Sequence, residues 1–194
     1  MTKKILRIDS SMRKADSYSR KLTDNLVEQI SQQELCNIVV RDLSHGVPLI
    51  NEAWINANFT DEKERTKEQK AVLFDSDTLV SELQNADVIV IGLPIYNFGV
   101  PGAFKSWIDQ IARANLTFRY SEKGPTGLLV NKKAYVIVVS GGTQLNSKLD
   151  FITDYVRHVL GFVGIKDVVI IDSSGLALNE DKAWSNAKEE IEMI

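Results

Sequence analysis

The segment from Asp87 to Arg113 reads DVIVIGLPIYNFGVPGAFKSWIDQIAR, and it decides the fold. Val88-Ile89-Val90-Ile91 is an uninterrupted, β-branched apolar run, as expected of a strand buried on both faces. Gly92 and Pro94 are expected to end it. Pro101 and Gly102 mark a new start, after which Phe104, Trp107, Ile108 and Ile111 recur at helical spacing. The order is therefore strand, loop, helix. The intervening loop, Pro94 to Gly99, falls at the carboxyl end of a buried strand, where open α/β sheets bind ligands. Proline, asparagine and glycine restrain it. A backbone held this way can offer N–H and C=O groups to a flat heterocycle.

The same alternation runs along the rest of the chain. Strands are predicted at Lys4 to Asp9, Asn37 to Asp42, Ala134 to Val139 and Val168 to Ile171. Leu22, Leu26, Val27 and Ile30 outline a first helix. Lys67 to Gln84 forms another, with Val72, Leu79, Val80 and Leu83 inward. Ile152, Val156 and Val159 mark a third, and about Asp181 to Met193 the last. Residues 43–66 are polar and irregular apart from Trp54 and Ile55. Leu116 to Tyr120 alternates like a short strand, and Ser121 to Gly127 is turn-like, so 115–130 is predicted to form a hairpin or flap. Five strands alternating with helices imply one doubly wound α/β domain over residues 1–194.

Two further loops follow predicted strands. Ser10 to Ser19 is rich in hydroxyls and runs into a helix whose free N–H groups and positive dipole end favour an anion. Ser17 or Ser19 would also cap that helix. Ser140-Gly141-Gly142 allows close approach by a ligand.

Composition narrows the function classes. A net charge of −3 gives no general attraction to nucleic acid or anionic membrane. Cys36 is the only cysteine, so no internal disulfide is possible, and a reducing, cytoplasmic setting is expected. His45 and His158 are far apart, so no metal site is expected. No run approaches transmembrane length. G-x-G-x-x-G, G-x-x-x-x-G-K-[ST] and G-x-S-x-G are all missing. A receiver domain would need an aspartate ending the third strand, where this chain has Gly92-Leu93-Pro94.

The strings PIYNF, FKSWID, TFRY and LGFVGI, with GPTGLL and Lys132-Lys133, resemble the FMN-dependent NADH-azoreductases of the flavodoxin-like quinone reductase superfamily. That resemblance spans almost the whole chain. It implies a flavodoxin-like five-stranded parallel sheet of order 2-1-3-4-5 with helices on both faces. Strands one, three and four are then neighbours, and their loops share one crevice. It implies bound FMN, with Ser11, Ser17, Tyr18 and Ser19 at the phosphate. Ile95, Tyr96, Asn97, Phe98, Val139, Ser140, Gly141 and Gly142 match the ring-binding positions. Tyr120 and Phe162 would border a substrate pocket. The implied activity is two-electron, ping-pong reduction of quinones and azo compounds by NADH or NADPH through flavin N5. A shuttle of the flavodoxin type, without its own substrate, is the alternative. Relatives are homodimers, and the aromatics Trp54, Phe118, Tyr120 and Phe162, expected outside the core, suggest an apolar interface. No catalytic side chain is indicated. Several relatives carry a histidine after the glycines, where this chain has Gln144.

Overall fold

A computed structural model describes residues 2–194. The elements run β1 (Lys3–Asp9), α1 (Tyr18–Gln33), β2 (Cys36–Asp42), a 3-10 turn (Leu43–His45), α2 (Glu52–Phe59) and α3 (Lys67–Asn85). They continue with β3 (Val88–Pro94), α4 (Gly102–Ile111), β4 (Phe118–Ser121), β5 (Gly124–Gly127) and β6 (Lys133–Val139). The chain closes with α5 (Thr153–Val163), β7 (Asp167–Ser173) and α6 (Glu180–Glu192). Five parallel strands order as β2-β1-β3-β6-β7, and β4 pairs with β5 as a separate antiparallel hairpin. In strand sequence this is the 2-1-3-4-5 order expected.

Every residue of β3 is buried, as its unbroken apolar run requires. Leu79, Leu83, Phe104, Trp107, Val156 and Leu160, from α3, α4 and α5, pack on one face of the sheet. Leu22, Leu26, Ile30, Ala187 and Ile191, from α1 and α6, cover the other. Helices therefore lie on both faces.

Several local expectations are corrected. Gly92 does not end β3, which pairs in register with β6 through Pro94. A Cβ on Gly92 would meet Thr23 Cγ2 at 3.0 Å and the Ser19 carbonyl oxygen at 3.2 Å. The glycine marks the close approach of α1 to the sheet, not a break. Residues 43–66 are not wholly irregular. Asn51 caps α2, accepting from the Trp54 N–H at 2.9 Å. Trp54 and Ala57 pack on Leu73 of α3. Leu73 therefore takes the inward place expected of Val72, which is 40% exposed.

The hairpin forms as predicted, but at the amino end of the sheet. Pro125, Thr126, Gly127 and Phe162 share the wall of a cavity of about 1170 Å³ with Lys3, Val88, Lys133 and Asp167, at the starts of four sheet strands. Trp54 and Phe118 are buried, so they do not join Tyr120 in an exposed patch.

Candidate active site

The three ligand loops leave β1, β3 and β6 at their carboxyl ends. Both the N–H and the hydroxyl of Ser10 donate to the Gly92 carbonyl, at 3.1 and 2.7 Å, fixing where the first loop departs. Asp16 turns the chain with φ 52°, and Ser17 caps α1, accepting from the Arg20 N–H at 3.5 Å. Ser11, Ser17 and Ser19 are all buried, and the Ser17 and Ser19 hydroxyls lie 3.2 Å apart. The first N–H groups of α1 have no earlier helical carbonyl to reach. The Tyr18 side chain leaves this cluster. Its hydroxyl bonds Glu180, and its ring meets Trp184 edge-on at 5.9 Å.

The second loop is a tight reversal. Tyr96 and Gly99 exchange backbone hydrogen bonds of 2.9 and 3.0 Å. Asn97 and Phe98 between them have φ 49° and 65°. Asparagine tolerates that left-handed region, whereas a phenylalanine there is strained, a feature that gathers at functional sites. The loop is tied to its neighbours on both sides. The Ile95 N–H donates to the Val139 carbonyl at 2.8 Å. Across the crevice, the Tyr96 hydroxyl lies 3.4 Å from Ser11 Oγ and accepts from the Met12 N–H at 3.3 Å. Phe98 stands at the tip, 56% exposed.

In the third loop Ser140 is buried, its hydroxyl bonding the Thr143 carbonyl and accepting from the Gly175 N–H at 3.4 Å. The Gly141 carbonyl accepts from the Ala177 N–H at 2.8 Å. Gly141 and Gly142 are exposed, and no protein atom lies within 4 Å of a Cβ built on Gly142. Its φ is not left-handed. The missing side chain thus serves no internal contact and leaves room at the crevice. Gln144, at the exposed mouth, has no titratable proton to offer.

Charge lies behind the first loop, where sequence reasoning did not look. Arg20 binds Asp42 through two hydrogen bonds of 2.9 and 2.7 Å and sits 3.6 Å from Asp9. Asp9, buried, accepts from Arg7 at 2.9 Å and from the Thr23 hydroxyl at 3.1 Å. Burial alone would raise the Asp42 carboxyl, but hydrogen bonds from Arg20 and Ser44 hold it well below the usual carboxylate range. One signal was available. An arginine in the first turn of a helix with no acidic residue there opposes the dipole, so it needs a partner elsewhere.

A phosphomonoester fits this donor set. Buried hydroxyls, two of them 3.2 Å apart, lie at the amino terminus of α1 with its free N–H groups, and the nearby guanidinium is already matched by carboxylates. Among the described residues no group of three or more His, Cys, Asp or Glu side chains is placed to hold a metal, and no helix is long and apolar enough to cross a membrane.

Of the expected site residues, the three loops bring together Ser11, Ser17, Ser19, Ile95, Tyr96, Asn97, Phe98, Val139, Ser140, Gly141 and Gly142 at one end of the sheet. Phe162, and Tyr120 through its pairing with Pro125, lie at the other end of the sheet.

The profile of the flavodoxin-like fold family matches residues 3–194. A Colwellia psychrerythraea protein named FMN-dependent NADH:quinone oxidoreductase 1 is 59% identical over 98% of this chain and 99% of its own. A Jannaschia protein of the same name is 51% identical over 98% of this chain and 97% of its own. The crystal structure of an FMN-dependent NADH-azoreductase from Bacillus anthracis, in complex with FMN, superposes with a TM-score of 0.87 at 28% identity, covering 99% of this chain and 97% of that one. Sheet order, crevice and whole-chain identity agree, and the chain belongs to the flavodoxin-like family of FMN-dependent NADH:quinone oxidoreductases.

Proposed function

We propose that the crevice holds FMN and serves a two-electron, ping-pong reaction between NADH or NADPH and quinones or azo compounds. One observation carries this reading: loops from three adjacent strands are joined across a single crevice by the Tyr96 hydroxyl and the Ile95 N–H. FMN bound there would supply the redox chemistry, two-electron hydride transfer through its N5 between the nicotinamide and the acceptor.

The residues orient it. Ser11, Ser17 and Ser19 would donate to the phosphate. Tyr18 contributes its backbone N–H, since its side chain is held by α6. The hydrogen-bonded Tyr96–Gly99 turn would present Ile95, Asn97 and Phe98 to the ring, and Val139, Ser140, Gly141 and Gly142 would hold it from the neighbouring loop. No side chain in the crevice is an evident acid or nucleophile, and Gln144 cannot replace a histidine as proton donor.

The chain works as one cytoplasmic domain in a two-fold dimer. Tyr120, 76% exposed, and the half-buried Phe162 cannot reach the crevice of their own chain from the opposite end of the sheet. They wall the pocket of the second protomer. Phe118 supports both, with ring centroids 5.4 Å from Tyr120 and 4.5 Å from Phe162.

The test is turnover. Purified protein should be yellow and should oxidise NADH with quinone unaided, giving parallel steady-state lines at varied quinone. Intersecting lines would remove the shared stacking site. A bound flavin with no quinone turnover would favour the electron carrier.

A further inference from the structure

Arg20 does something the cofactor reading alone does not require. Its side chain is 14% exposed and makes four hydrogen bonds. Two go to the carboxylate of Asp42. The other two go to the backbone of the phosphate loop: Nη2 donates to the Ser11 carbonyl at 2.8 Å, and Nε to the Arg13 carbonyl at 2.9 Å. The remaining N–H is on the nitrogen facing Asp9 at 3.6 Å. Four of the five guanidinium N–H donors are therefore taken, and the fifth sits on the nitrogen nearest the Asp9 carboxylate.

The direction of the two carbonyls matters. In a trans peptide the C=O and the following N–H point opposite ways. Drawing the Ser11 carbonyl toward Arg20 turns the Met12 N–H away from it. That N–H indeed points across the crevice, reaching the Tyr96 hydroxyl at 3.3 Å. The Arg13 carbonyl is held the same way, which turns the Lys14 N–H from Arg20. Released, either carbonyl could rotate toward the anion and repel it.

Resting on the FMN reading, we propose that Arg20 is a positioning residue: anchored on Asp42, it holds the Ser11 and Arg13 carbonyls away from the cofactor phosphate and so keeps the loop in its binding shape, without touching the phosphate itself. The phosphate is then bound by neutral donors, and the arginine charge is spent on Asp42. Lysine cannot take this place, because one ammonium cannot span two carbonyls and a carboxylate in the geometry of a planar fork.

Apoprotein titrated with FMN and with riboflavin, followed by flavin fluorescence, distinguishes the roles. Arg20→Lys and Arg20→Gln should each weaken FMN about ten- to a hundredfold, the value of one charge-assisted hydrogen bond, and leave riboflavin within about twofold. Thermal melts identify any variant that fails to fold, and Arg20→Lys keeps both charge and bulk in that event. Full FMN affinity in Arg20→Lys would make the charge the working feature and overturn the proposal. Equal losses for FMN and riboflavin would make the role structural and also overturn it. Failure of the unaltered protein to bind either flavin would instead overturn the cofactor reading.

Discussion

Replacing Gly92 with alanine should lift the first turn of α1 from the sheet. The backbone at Gly92 permits alanine, since its φ is not left-handed. Relief of glycine's flexibility in the unfolded chain would stabilise by about 0.4–1 kcal/mol. Against this, the new methyl would lie 3.0 Å from Thr23 Cγ2 and 3.2 Å from the Ser19 carbonyl oxygen. Thr23 is fully buried and cannot swing aside without giving up its hydroxyl contacts with Asp9 at 3.1 Å and the Arg20 carbonyl at 2.9 Å. Overpacking of this kind costs about 1–3 kcal/mol. The clash wins, leaving a net loss of about 1–2 kcal/mol, or roughly 2–8 °C in Tm for a chain of this length. Thr23→Ser removes only Cγ2 and alone should cost about 0.5–1.5 kcal/mol for the lost methyl. In the Gly92→Ala background the alanine fills that space, so the double variant should be more stable than the sum of the two predicts by about 1 kcal/mol. Recovery should be partial, because the Ser19 backbone contact remains. Urea unfolding of the four proteins measures the cycle, and FMN titration should show weaker binding in Gly92→Ala as Ser17 and Ser19 move with the helix. Additivity within about 0.5 kcal/mol, or an unchanged Gly92→Ala, would refute this account of the glycine.

Asp42 links the phosphate loop to acid stability. Its carboxyl lies below its unfolded value of about 3.9, so it contributes stability above that pH, and the contribution is lost as pH falls through the lower folded value. Asp42→Asn should be less stable at pH 7, and its gap from the unaltered protein should narrow below about pH 4; a gap constant with pH would count against the link. Trp54 donates from its indole to Gln110 Oε1 at 2.8 Å in a buried contact. Trp54→Phe, which strands that acceptor, should cost about 1–3 kcal/mol by chemical denaturation, and an unchanged midpoint would mean that water or rotation satisfies Gln110. For the dimer, one variant altered at Asn97 and Ser17 and another with Tyr120→Ala and Phe162→Ala should each be inactive, while verified heterodimers regain part of the quinone turnover. A monomer by sizing, or no recovery, would place Tyr120 and Phe162 outside the site.

The sequence by itself determined the alternation of strands and helices that makes a parallel sheet, and the three ligand loops; the strand order came with the family resemblance. Each rests on patterns shorter than ten residues: the apolar run Val88–Ile91, the serine cluster before α1, the glycines after β6. Such patterns survive because backbone hydrogen bonding and burial on both faces act locally on them. The resemblance carried by PIYNF and TFRY then supplied the chemistry that periodicity could not. What only the tertiary structure decided involves partners far apart in the chain. Gly92 reads as a strand breaker until α1 is seen against it. Residues 43–66 read as a polar excursion because the anchors of Trp54, Leu73 on α3 and Gln110 on α4, lie 19 and 56 residues away. Tyr120 and Phe162 were placed beside the ligand loops, but α4 carries the chain back to the amino end of the sheet before the hairpin begins. Nothing in the local sequence around Arg20 names its partner. Its role emerged from Asp42, which the parallel pairing of β1 with β2 brings opposite Asp9, because an arginine at the wrong end of a helix dipole is settled by whichever carboxylates the fold places behind it.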